Sequence, residues 1–187
     1  MTARINRRVM MKGAAAGAVA AIPSAGAEWT NRFAREWRDM FLKHWESTKH
    51  YTMQIFDAMP TEHFDSKPVP EQRSFGEQMA HLGSANVAYM RAFGVMDAPQ
   101  AAAGKDRDSV RRYVAATFDY VTEVLKKLEE PALSRKDLKF NARLKPHSGS
   151  DLFMRAYMHT AHHRGQAVVY LRVKGIVPPA WEFEPTA

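Results

Sequence analysis

An all-α four-helix bundle, preceded by a cleavable export signal, is the architecture that this sequence of 187 residues predicts. Two observations carry that expectation. Four long stretches repeat their apolar residues at three- and four-residue steps between Pro- and Gly-containing breaks, and no stretch alternates convincingly at the two-residue period of a strand. One core is the third inference, because the length and the 45% of hydrophobic residues fit one globular domain rather than two.

Composition also removes whole classes of chemistry. The chain has no Cys, so disulfide frameworks, thiolate nucleophiles, iron-sulfur ligation and Cys-containing zinc knuckles are excluded. Any metal must be held by His, Asp or Glu, and eight His are present. The net charge of +7 is uneven: Arg4, Arg7, Arg8 and Lys12 fall in the first 27 residues, which contain no acid, leaving +3 for the rest. Beyond them, bases and acids interleave (Arg35 and Glu36, Arg38 and Asp39), as on a solvated helical surface, so no nucleic-acid partner is expected.

Residues 1–27 follow the three-part plan of an export signal: a basic start, an uncharged run from Gly13 to Ile22, then Pro23, Ser24 and the small residues Ala25 and Ala27 before Glu28. A run of about ten residues is roughly half of what a spanning helix needs, so it is no membrane anchor. The order Asn6-Arg7-Arg8-Val9-Met10-Met11-Lys12 resembles the twin-arginine pattern. It implies a periplasmic or secreted protein that crosses the membrane folded, or a cytoplasmic one if the leader is not used.

Residues 28–187 make the bundle. The first helix is expected over Thr30 to Met59, unbroken or broken once, with Phe33, Trp37, Met40, Phe41, His44, Trp45 and Thr48 on one stripe and Pro60 ending it. Pro60, Pro68 and Pro70 make residues 60–73 a loop. Ser74 followed by Glu77 is the capping-box spacing, which starts a second helix running to Phe93 and Gly94. Ala98 to Gly104 is a small-residue linker. The third helix is expected from Arg107 to Glu130, carrying Val110, Val114, Phe118, Val121, Val124 and Leu128 until Pro131 stops it. Residues 131–147 read as loop, with 138–140 and 142–144 able to pair briefly. The fourth long helix begins at Ser148 to Asp151 and ends at Lys174, before Gly175.

The chemistry concentrates in that last helix. At about 100° per residue, His159 and His163 fall about 40° apart, on the strip of Leu152, Ala156 and Tyr170 that faces the core. His162 lies about 60° to the other side of His159 and is the alternative to His163. Imidazoles at i and i+4 rise about 6 Å apart, a span that two metal–nitrogen bonds of about 2 Å can close. A third ligand must come from another helix, and His81, among Met79, Ala80 and Leu82, is the candidate. Any one of these His alone reads as a buried, hydrogen-bonded imidazole; several uncompensated imidazoles in one core need something that ties them together. Thr160 stands where a zinc protease would carry its general-base Glu, and the Glu-x-x-His pairs of di-iron bundles are absent from the second and fourth long helices.

Residues 40–179 resemble the DinB/YfiT-like family of metal-dependent four-helix-bundle enzymes. The likeness rests on Phe56-Asp57-Ala58-Met59-Pro60, on Ser74 to Leu82, and above all on His159-Thr160-Ala161-His162-His163-Arg164-Gly165-Gln166 with Gly175 to Pro179. The resemblance implies His81, His159 and His163 as ligands of a divalent metal ion (zinc, nickel or iron), a homodimer, and a small-molecule substrate. Most relatives are intracellular, so the leader is a departure. Three imidazoles leave a coordination position open, suited to a metal-dependent hydrolase or, as in relatives that use low-molecular-weight thiols, a thiol-dependent transferase. The alternatives are a non-catalytic bundle stabilised by metal and a bundle that binds a small apolar ligand without metal.

Around the trio the sequence offers supporting candidates. Glu77 either orients His81 or caps its helix, with the cap favoured. His44 approaches the site or simply packs. Arg164 binds an anionic substrate or, as its angle of about 100° from His163 favours, faces another helix or solvent, and Tyr170 donates to a bound oxygen or fills the core.

Overall fold

The computed structural model describes residues 25–94, 97–101 and 106–181, with side chains from residue 32 onward. Residues 1–24 of the expected leader lie outside the described residues, as do 102–104 of the small-residue linker, whereas 25–27 of that leader begin the first helix. Helix α1 runs without a break over Ala25–Ala58, and α2 over Phe75–Met90. They are followed by α3, Arg107–Lys127, the short α4, Glu130–Ser134, and α5, Gly149–Val173. Helices α1 and α2 each pack against both α3 and α5, so they stand at opposite corners of the bundle. No described helix is long and apolar enough to cross a membrane.

The core explains why these segments hold together. Phe41 and Trp45 are buried on α1, with their rings stacked at 5.7 Å, and Phe153 of α5 meets Phe41 edge-on at 5.5 Å. Trp45 is fully buried and donates its indole N–H to the carbonyl of Phe118 at 3.1 Å, which satisfies its polar edge and fixes α1 against α3. Phe33 and Met40, assigned to the apolar stripe by spacing, are instead 62% and 50% exposed. The stripe is wider than the surface that α3 and α5 cover.

The termini follow local chemistry. Ser74 accepts from the Glu77 amide at 3.2 Å and the Glu77 carboxylate accepts from the Ser74 amide at 2.8 Å, a complete capping box. Phe64 lies across the first turn of α2, where a Cβ on Gly76 would overlap its ring, so only Gly permits this approach. Beyond Met90 the helix tightens into a 3₁₀ turn at Arg91–Phe93 and stops at Gly94. Ser148 caps α5, and Gly175 closes it at φ 72°.

Several features differ from the expectation: α1 begins at Ala25 rather than Thr30, and a short helix occupies the start of the segment read as loop. Helix α3 ends at Lys127, where Leu128 turns extended, and Pro131 lies in the first turn of α4 rather than at the end of α3. In a first turn the missing proline N–H forfeits no helical bond, so proline starts a helix as readily as it ends one. In the 131–147 segment the short pairing joins Leu138 to His147, not to residues 142–144.

Candidate metal centre

Helices α2 and α5 lie side by side, with Phe75 at the start of α2 against Tyr170 near the end of α5, and Tyr89 near the end of α2 beside His159. They therefore run antiparallel. Between these ends the buried hydroxyl of Thr160 donates to the side-chain oxygen of Asn86 at 3.2 Å, a polar lock that sets the rotation and register of the two helices. Thr160 sits inside the i, i+4 pair, so this bond turns His159 and His163 toward α2.

The lock brings His81, His159 and His163 together. Their ring centroids are 4.6 Å apart for His81 and His163, 5.3 Å for His81 and His159, and 4.2 Å for His159 and His163. One ring nitrogen from each lies within 4.8 Å of the others, a spacing at which the group could hold one metal ion. His162 is exposed, with its ring 4.9 Å from that of His163 and its Nε2 paired with the Gln166 amide at 3.1 Å, and it is not a member of the group. His44, half-buried on α1, is not a member of the group.

The donor set fits a cation on an independent observation. Nδ1 of His159 is buried and has no hydrogen-bond partner, a state that costs free energy unless something at the site accepts its lone pair or its proton. Burial pushes the protonation of His159 and His163 down to about 4. The neighbouring imidazoles push in the same direction, with Arg73 adding to the effect at His159. His81 is lowered as well, by burial and then by Arg73. All three rings are thus neutral near pH 7, with the lone pairs that ligation requires.

Sequence reasoning missed the residue that orients His163. Gln78, buried one turn before His81, places its amide 2.6 Å from Nδ1 of His163 and also donates to the Gln166 side-chain oxygen. Amide and imidazole can pair in two senses; with the His163 proton on Nδ1 the Gln78 oxygen accepts it, the Gln78–Gln166 bond then reverses so that the Gln166 amide donates, and Nε2 of His163 is left free for a cation. The only sequence signal is a polar side chain on the His81 face of an otherwise apolar helix. The supporting candidates resolve differently. Glu77 caps α2. Tyr170 donates to the Arg73 carbonyl at 2.7 Å instead of pointing at the imidazoles. Arg164 is buried against α1, over the Tyr51 ring at 5.0 Å, and reaches the Thr48 carbonyl at 3.4 Å.

Two cavities adjoin the group, each of about 570 Å³. One is walled by Arg73, Gln78, Gln166 and Tyr170 between α2, α5 and the 60–73 loop. The other, toward α3, has His81 itself in its wall with Ser84 and Tyr113. Tyr89 stands beside His159 at the far end, with Phe140 4.7 Å from Tyr89.

An all-helical bundle with three convergent imidazoles able to hold one ion is the class of protein that these features define. The chain belongs to the DinB family, whose model it matches over residues 29–186. It is similar in fold to a DinB-like protein from Bacillus cereus, with a TM-score of 0.67 at 20% identity, covering 76% of this chain and 95% of that one. A DinB-like protein from Bacillus subtilis superposes with a TM-score of 0.60 at 18% identity, covering 76% and 96%. At these identities the likeness concerns the fold alone. No curated protein sequence matches the chain.

Proposed function

We propose that residues 28–187 form a metalloenzyme in which His81, His159 and His163 hold one divalent ion, zinc, nickel or iron, and that it is a metal-dependent hydrolase or a thiol-dependent transferase acting on a small molecule. The observation that carries this reading is the convergence of three neutral imidazoles within 4.8 Å, one of them with an orphaned buried nitrogen. When bound, such an ion supplies Lewis acidity and lowers the pKa of a coordinated water or thiol toward neutrality. The chain's own groups do the rest. Gln78 fixes the orientation of His163, Thr160 and Asn86 hold α5 against α2, and the wall position of His81 opens the site to a cavity. That open side favours a catalytic ion over a closed structural one.

The pattern of residues 1–27 supports twin-arginine-type export to the periplasm or beyond. A homodimer is supported by the exposed Met154, Met158 and Val173 of α5, apolar side chains of the kind that mark association surfaces. Cobalt(II) loading of the metal-free chain tests the catalytic reading: about one ion per chain should give an absorption spectrum that shifts when azide or a thiol is added. A spectrum indifferent to every added ligand would mean a closed, structural site.

A further inference from the structure

The sequence offered Arg164 as a binder of anions, but its burial against α1 takes it away from the site. A different cation stands at the group. Arg73 lines the cleft between α2 and α5, and Gln78, which shares that cleft, bonds His163, so the inner end of the cleft is one side chain away from the imidazoles.

Arg73 is exposed, but its anchoring and its lack of an acidic partner separate it from an ordinary surface cation. Its backbone is anchored, because its carbonyl accepts the Tyr170 hydroxyl at 2.7 Å and the next residue, Ser74, closes the capping box of α2. Its guanidinium forms no ion pair with any described residue, although Glu71 lines the same cleft. In the cavity toward α3, by contrast, Lys67 lies 3.9 Å from Glu77 and the Tyr113 hydroxyl donates to Ser84 at 3.2 Å, so those polar groups already have partners.

We propose that Arg73 binds the anionic end of the substrate, a carboxylate or phosphate, in the cleft beside Gln78, Gln166 and Tyr170, while the substrate's other end reaches the three-histidine group. The substrate class is therefore a small acid of metabolite size, which a cleft of about 570 Å³ accommodates. Guanidinium pairs with carboxylate or phosphate through two parallel N–H donors, and a cation with no partner of its own loses no existing bond when it does so. This assignment rests on the metal reading for the reactive end, but the anion subsite is a property of the chain alone.

The test compares 3-mercaptopropionate with its neutral amide on the full chain, by calorimetry without metal and by thiolate charge-transfer absorption after cobalt(II) loading. The acid should bind at least about tenfold more tightly than the amide, as expected for a hydrogen-bonded charge, and Arg73→Gln should bring the ratio close to one. Arg73→Lys should retain part of the preference, and Glu71→Gln should maintain or increase it. A ratio near one in the wild type, or a preference that survives Arg73→Gln, overturns the proposal even if cobalt binds. Failure to bind cobalt while an Arg73-dependent preference persists without metal keeps the anion subsite and removes the metal reading. Parallel titration with inorganic phosphate distinguishes a phosphate end from a carboxylate end.

Discussion

Replacing Gln78 by Ala removes the side chain that lies 2.6 Å from Nδ1 of His163. Gln78 is 3% exposed, and its second partner is Gln166. Losing the outer partner of a ligating imidazole typically weakens metal binding about 10- to 100-fold, or about 1.4 to 2.8 kcal/mol. The metal-free protein should also lose stability, by about 1 to 3 kcal/mol, because Nδ1 is left buried and unpaired. Gln78→Glu should restore the affinity or exceed it, since a carboxylate accepts the Nδ1 proton and raises the basicity of the opposite nitrogen. Zinc affinity from competition with a chromophoric chelator, with circular dichroism confirming the fold, decides the matter. A folded Gln78→Ala protein that binds zinc as tightly as the wild type would refute the orienting role.

Other outcomes follow from the same coordinates. Metal-free stability should be constant above about pH 6.5 and fall between there and about pH 4, because the unfolded His residues protonate near 6.5 whereas folded His159 and His163 resist until about 4. The unfolded chain binds more protons in that window, and urea midpoints measured against pH should show the decline; a flat profile there would contradict the buried, neutral imidazoles. Trp45→Phe, which removes the indole N–H and leaves the Phe118 carbonyl without its donor, should cost about 1 to 3 kcal/mol in urea unfolding. Gly76→Ala should also destabilise, by about 1 to 3 kcal/mol, since the new Cβ must displace the Phe64 ring; an unchanged midpoint would show that the ring moves freely.

What could be read in the sequence was local. The capping box at Ser74 and Glu77 and the i, i+4 relation of His159 and His163 are set by helical geometry over a few residues, and both are present as expected. Helical angle also favoured His163 over His162, and His162 is exposed and lies outside the three-histidine group. What could not be read was the apposition of distant segments. Gln78 and His163 are 85 positions apart, and nothing in either segment announces that the two side chains meet. Arg73 sits in a proline-rich stretch with no period to say which way it points, and only the Tyr170 bond to its carbonyl fixes it beside the site. Phe33 and Met40 fit the period of the stripe but reach past the helices that would bury them. Pro131 shows a different limit: the same residue marks a helix end or a helix start, and only the extended turn at Leu128 decides between them.

The central claim is that three imidazoles from two helices share a single ion, and elemental analysis of purified protein tests it most directly. Wild type and His162→Ala should each carry about one divalent ion per chain, whereas His81→Ala, His159→Ala and His163→Ala should each carry almost none. Full occupancy in those three variants, or loss in His162→Ala alone, would contradict the account.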